Sequence, residues 1–192
     1  PTLGILPEHT TILPFTRLLG GPMDYTPGLF HMKLNQFDST RTTRVRSTLA
    51  KQLALYVTIY SPLQMAADLP ENYARRLDAF QFIKDVAVDW DATRILAAEP
   101  GEFVTIARKA KGRSDWFIGS ITDENARDMR IPLDFLDPGA RYEAMIYRDA
   151  DDADFEKNPE SYVISKSVVT KKSILSIRLQ RGGGCAVSLK KL

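Results

Sequence analysis

The hydrophobic period changes once along this 192-residue chain, near residue 90, and that change limits the folds open to it. Before it, Val45, Leu49, Leu53, Tyr56, Val57 and Tyr60 recur at intervals of three and four, which predicts an apolar stripe on a helix over residues 42–68. Ser61-Pro62 should kink that helix, because proline removes a donor and clashes with the preceding turn. Asp68-Leu69-Pro70 reads as a restart, with Tyr73, Leu77, Phe80 and Ile83 marking the inward face of a second helix. After Trp90 come eight short β-rich runs, at 93–97, 103–108, 116–121, 129–135, 142–148, 162–168, 174–179 and 186–189. Met129, Ile131, Leu133 and Phe135 show the period of two most clearly. Turn residues such as Pro100-Gly101, Pro138-Gly139 and Gly182-Gly183-Gly184 separate the runs, and no helical segment interrupts them. The pattern describes an antiparallel β-sandwich over residues 89–192, behind a helical unit over 1–88.

The first 35 residues fit neither period. Residues 11–19 read as a short helix, broken by Gly20-Gly21-Pro22, and Met23-Asp24-Tyr25-Thr26 reads as a short strand closed by Pro27-Gly28. A helix, a strand and a long helix make one and a half α/β units, which cannot close a barrel or a sheet alone. The chain opens at Pro1-Thr2-Leu3 with no initiator Met and no signal-type segment, and so reads as starting in mid-protein.

Charge and composition exclude several function classes. Twenty-six Lys and Arg against 24 Asp and Glu leave a net charge of +2 with no basic stripe, which sets nucleic acid aside as a partner. Cys185 is the lone cysteine, and only His9 and His31 accompany it, too few for a disulfide or a cysteine-rich metal site. The apolar run at 53–65 is broken by Ser61-Pro62 and Gln64 and is too short to cross about 30 Å of hydrocarbon, so no membrane span is expected.

Several ordered tracts carry a resemblance. They are Pro7-Glu8-His9-Thr10-Thr11-Ile12-Leu13-Pro14-Phe15-Thr16-Arg17, Gly21-Pro22-Met23-Asp24-Tyr25-Thr26-Pro27-Gly28, Ser61-Pro62-Leu63-Gln64-Met65, Val88-Asp89-Trp90-Asp91, and Trp116 through Asp123. In this order they closely resemble the C-terminal portion of glycoside hydrolase family 97. The resemblance implies the last βα units of a catalytic (β/α)8 barrel over residues 1–88, followed by a C-terminal β-sandwich domain. It also implies α-glucosidase or α-galactosidase activity on an oligosaccharide substrate, a periplasmic or secreted location, and a calcium ion. The catalytic carboxylates and the calcium ligands would lie before the Pro-Glu-His motif, in a missing N-terminal part of the same enzyme. Hydrolysis by the common route needs two flanking carboxyl groups, so this chain alone is expected to be inactive. Glucoside versus galactoside and inversion versus retention stay open.

Four residues are substrate-binding or positioning candidates within that frame. Glu8 and His9, near a barrel strand's C-terminal end, could orient a sugar hydroxyl or tune a neighbouring carboxylate. The competing reading makes Glu8 a solvated loop residue beside a helix capped by Thr10 or Thr11. Asp24 and Tyr25 fall where a last barrel strand would end, either as rim residues facing sugar or as part of a turn fixing residues 22–28. No metal ligand is expected in this chain: His31 reads as a packed or surface residue, and Asp149, Asp151, Asp152, Asp154 and Glu156 as a solvated hairpin loop rather than a calcium site. Gly182-Gly183-Gly184 reads as a turn, since no Lys-Ser/Thr or helix follows it. The alternative class is a non-catalytic carbohydrate-binding or structural sandwich, which would expose Trp90, Phe103, Trp116 and Phe117 as a stacking row; core packing is the competing role for these rings.

Overall fold

The computed structural model describes residues 4–192; the chain's opening at residues 1–3 lies outside them. Four α-helices come first, α1 (His9–Ile12), α2 (Leu49–Thr58), α3 (Pro70–Ala74) and α4 (Leu77–Asp85), with 3-10 turns at Leu13–Phe15 and Arg17–Gly20. Eight strands follow: β1 (Trp90–Glu99), β2 (Phe103–Ala110), β3 (Trp116–Thr122), β4 (Arg127–Pro132), β5 (Arg141–Asp149), β6 (Tyr162–Thr170), β7 (Ile174–Leu179) and β8 (Gly184–Lys191). Seven of the eight β-rich runs are therefore strands over their whole length, while the run at 129–135 is a strand only to Pro132 and turns at Asp134-Phe135. The strands form a six-stranded sheet in the order β1-β2-β3-β8-β5-β6 and a two-stranded sheet of β4 and β7, with every pairing antiparallel.

The large sheet has a core on each face. On β3, Trp116 and Ile118 point toward the small sheet and join Met129, Ile131, Tyr142 and Val187, while Phe117 and Ile121 point toward the helices and join Leu53, Tyr56, Phe82 and Tyr147. This is the period-two alternation of a sheet buried on both faces. Helix α2 lies on the centre of the sheet because two glycines let it come close. A Cβ on Gly119 would stand 2.5 Å from the Ala54 carbonyl oxygen, and one on Gly184 would stand 2.7 Å from Lys51 Cα. All ten residues of α2 are buried, as expected of a helix covered on every side.

Three expectations for the first 88 residues need correction. The helix expected over 42–68 is only α2. Thr48 is extended (φ −94°, ψ 162°) and its hydroxyl accepts from Lys51 N at 3.2 Å, so the helix starts there. Val45 packs on the core from an extended segment, its N–H bonded to Met32 O at 2.8 Å. The second helix is broken at Arg76, whose non-helical backbone resets the phase. Ala79 and Phe82 become its buried residues, and Leu77 turns outward at 62% exposure. The third correction concerns residues 23–26, which form no strand among the described residues. Met23 N donates to Tyr60 O at 3.2 Å and Ala67 N to Pro27 O at 3.1 Å, isolated bonds that do not make a ladder.

Candidate functional site

Helix α2 turns its polar atoms toward the two motif tracts of the N-terminal segment. The Lys51 ammonium donates to Pro7 O at 2.9 Å and to Thr122 O at 2.7 Å, tying the Pro-Glu-His tract to the end of β3. Gln52 Oε1 accepts from Gly28 N at 3.0 Å and Leu29 N at 3.3 Å. Tyr56 donates to Met65 O at 2.7 Å and lies 3.2 Å from Pro27 O. At the helix end, Arg108 Nε donates to Val57 O at 2.7 Å and satisfies a carbonyl that the last turn leaves free. A helix placed by the sheet thus sets the position of both tracts.

Two buried titratable residues, Lys51 on α2 and Asp149 beneath its start, were missed by sequence reasoning. Asp149 is fully buried and accepts from the Thr48 hydroxyl at 2.6 Å, Gln180 N at 3.0 Å and Gly184 N at 2.9 Å. Burial dominates these bonds and pushes its carboxyl up to about 7. Lys51 is also buried, and burial lowers its amine to about 7, against the opposing pull of Glu124, Asp149 and Asp123. The signal lay in the helix itself: Lys51 is the one charged residue among the ten of α2. The Gly182-Gly183-Gly184 turn makes room for Asp149, because a Cβ on Gly183 would collide with its carboxylate.

The four candidate residues divide between two settings. His9 and Tyr25 line one cavity of about 330 Å³ together with Lys51 and Gln52. Glu8 and Asp24 are exposed and do not line it. The Thr10 and Thr11 hydroxyls donate back to Pro7 O at 3.0 Å and Glu8 O at 2.7 Å, so neither caps α1 by accepting from its N–H groups. Burial raises the Tyr25 hydroxyl above its ordinary value.

The acidic loop is built by internal hydrogen bonds, and its first member is buried rather than solvated. Asp154 accepts from Glu156 N at 2.8 Å and pairs with Arg181 at 2.9 Å, while Asp152 accepts from Ser161 at 2.7 Å and Asn158 at 2.8 Å. Among the described residues no group of three or more His, Cys, Asp and Glu is placed to hold a metal ion. His31 is half-buried, its Nε2 3.1 Å from Asn35 Oδ1 and its Nδ1 3.8 Å from Glu160. Trp116 and Phe117 are core residues, and Trp90 packs edge-on against Phe117 with ring centroids 5.9 Å apart. The rings therefore do not form an exposed stacking row. No helix among the described residues is long and apolar enough to cross a membrane.

A family model described as "Glycosyl-hydrolase 97 C-terminal, oligomerisation" matches residues 89–190, just over half of the chain. The chain belongs to glycoside hydrolase family 97. A retaining alpha-galactosidase of Bacteroides thetaiotaomicron is 33% identical to it over 185 residues, covering 95% of this family 97 chain and 27% of the relative. A probable retaining alpha-galactosidase of Streptomyces bingchenggensis is 39% identical over 127 residues, covering 66% of this chain and 18% of the relative. A family 97 enzyme from Pseudoalteromonas sp. strain K8, solved in complex with panose, superposes with a TM-score of 0.92 at 48% identity, covering 97% of this chain and 29% of that one. A beta-arabinopyranosidase structure shares the fold at a TM-score of 0.78 and 22% identity, covering 94% of this chain and 27% of its own. The chain thus spans less than a third of these relatives.

Proposed function

We propose that this chain is the C-terminal part of an α-glycoside hydrolase, in which residues 1–88 complete a catalytic (β/α)8 barrel and the β-sandwich buttresses it. The paired carboxylates, and any calcium ligands, belong to polypeptide outside residues 1–192. The reading rests on family membership combined with one observation in the fold: α2 hydrogen-bonds Pro7 and the Gly28–Leu29 turn while lying at backbone contact on the sheet. Such a scaffold holds a loop rigidly, as a reaction that depends on orientation requires. Within it, Glu8, His9, Asp24 and Tyr25 are proposed as substrate-binding or positioning residues, with His9 and Tyr25 acting from the Lys51 cavity. The relative with the highest of these identities, 48%, was solved with panose, which favours α-glucosides over the α-galactosides named for the other two relatives.

The deciding experiment compares the 192-residue chain with the longer protein encoded together with the sequence preceding Pro1. Aryl α-glucoside and aryl α-galactoside are the substrates. Hydrolysis by the longer protein, faster on the α-glucoside, and none by the chain is expected. Turnover by the chain itself, or by neither, refutes the reading.

A further inference from the structure

One peptide group, the link between Pro7 and Glu8, is gripped at both ends by side chains of opposite charge. Its carbonyl oxygen accepts from the Lys51 ammonium at 2.9 Å and from the Thr10 hydroxyl at 3.0 Å. Its N–H donates to the Glu124 carboxylate at 3.3 Å. A cation thus sits at the negative end of the peptide dipole and an anion at the positive end, and hydrogen bonds to ionised groups are roughly twice as strong as neutral ones. Pro7 is buried, and its ring fixes φ just ahead of the same link. The orientation of this peptide plane is therefore set immediately before His9.

Both charged groups are themselves held by the β-sandwich. The buried Lys51 also donates to Thr122 O at 2.7 Å, at the end of β3. Glu124 stands in the turn that joins β3 to β4, and bonds from several directions close that turn. Asp123 N donates to Glu102 O at 2.7 Å, Gly182 N donates to Asp123 O at 2.8 Å, and Asn125 N donates to the Asp123 carboxylate at 2.9 Å. Arg181 Nε donates to the Glu124 carbonyl itself at 3.2 Å. The turn therefore carries a fixed carboxylate to a peptide group 116 residues earlier in the chain. Every partner in this clamp belongs to the chain itself, so its geometry does not depend on which outer surfaces the rest of the enzyme covers.

We infer that Lys51 and Glu124 are positioning residues for the glycosidase: they lock the Pro7–Glu8 peptide and so aim the Glu8 and His9 side chains. Each acts through the backbone of residues 7–9. The β-sandwich takes part in the reaction through its β3–β4 turn, a role beyond buttressing the barrel. Orientation carries a large share of catalysis, and a misplacement of about 1 Å can cost about 100-fold in rate. The inference rests on the reading of Glu8 and His9 as substrate-binding or positioning residues.

The test is steady-state kinetics of the longer protein, which includes the sequence preceding Pro1, on whichever of aryl α-glucoside and aryl α-galactoside it hydrolyses. Glu124→Ala removes the acceptor and should lower kcat/KM about tenfold. Glu124→Gln keeps a carbonyl oxygen there and should restore about half or more of the parent value. In a Glu8→Ala/His9→Ala background, Glu124→Ala should cost less than about twofold more, because the groups it aims are gone. Lys51→Met should lower kcat/KM likewise and add little to Glu124→Ala; should it fail to fold, the Glu124 series decides alone. Parent kinetics in Glu124→Ala, no recovery in Glu124→Gln, or an undiminished effect of Glu124→Ala in the Glu8→Ala/His9→Ala background overturns the proposal and leaves the roles of Glu8 and His9 standing. Unchanged kinetics in Glu8→Ala/His9→Ala, or no turnover of either substrate by the longer protein, removes those roles and the proposal with them.

Discussion

Replacing Gly119 by alanine tests the close approach of helix to sheet, because the sign of the effect is diagnostic. In a strand with free space beside it, glycine to alanine gains about 0.5–1 kcal/mol by restricting the unfolded chain. Here the added Cβ would stand 2.5 Å from Ala54 O, 2.9 Å from Val57 Cβ and 3.0 Å from Thr58 Cγ2. All three neighbours belong to α2, so no side-chain rotation relieves the contact and the helix must lift off the sheet. Overpacking of this kind costs about 1–3 kcal/mol, and contact with a backbone oxygen places Gly119 toward the upper part of that range. After the intrinsic gain is subtracted, a net loss of about 2 kcal/mol remains. For a chain of this size that lowers Tm by about 4–8 °C, read by circular dichroism or calorimetry. A Tm equal to or above that of the parent would refute the close contact. It would also remove the physical basis for α2 as the positioner of Pro7 and Gly28.

Two further predictions concern the two buried titratable residues. Lys51 keeps its proton to 10.5 when unfolded but only to about 7 when folded, so across that window unfolding takes up a proton and stability rises with pH. Asp149 is shifted from 3.8 up to about 7 in the fold, so across that window folding takes up a proton and stability falls as pH rises. Urea midpoints measured from about pH 4 to 10 should show a dip near neutrality; Lys51→Met should remove the alkaline rise and Asp149→Asn the acid-side fall, and profiles that match the parent's would refute the assignment. Thr48→Ala removes the helix cap and an Asp149 hydrogen bond together, and should cost about 2–3 kcal/mol in urea unfolding, with Thr48→Ser largely restoring it.

The strands could be read because alternation and turn chemistry reinforce each other. Met129 and Ile131 point to one core as their spacing implies, and the turns at Gly101, Gly139 and Gly182 each adopt the positive φ that favours glycine. The helical segment was harder, because a spacing of three or four residues marks a shared face only if the backbone is helical throughout. Val45 shares the core without being in the helix, and Leu77 leaves it because Arg76 restarts the phase. Asp149 was hidden for another reason. It closes a strand and opens an acidic run, and nothing in that run separates the one carboxylate that meets Gln180 and Gly184 from those that face water. Glu124 carried no pattern at all, since the Glu8 N–H that it accepts from lies 116 residues earlier and meets it only in three dimensions.

The position of β8 has a consequence for how the molecule is made. It lies between β3 and β5 and pairs with both, so the middle of the large sheet is supplied by residues 184–191, the last of the eight strands in chain order. Until then β1-β2-β3 and β5-β6 are separate ribbons, each with an unfilled edge able to recruit the wrong neighbour. Growth of the chain therefore cannot lock the sheet one strand at a time; the two ribbons wait for a final insertion that joins them, and a nascent chain stalled before residue 184 would be the species most in need of a chaperone.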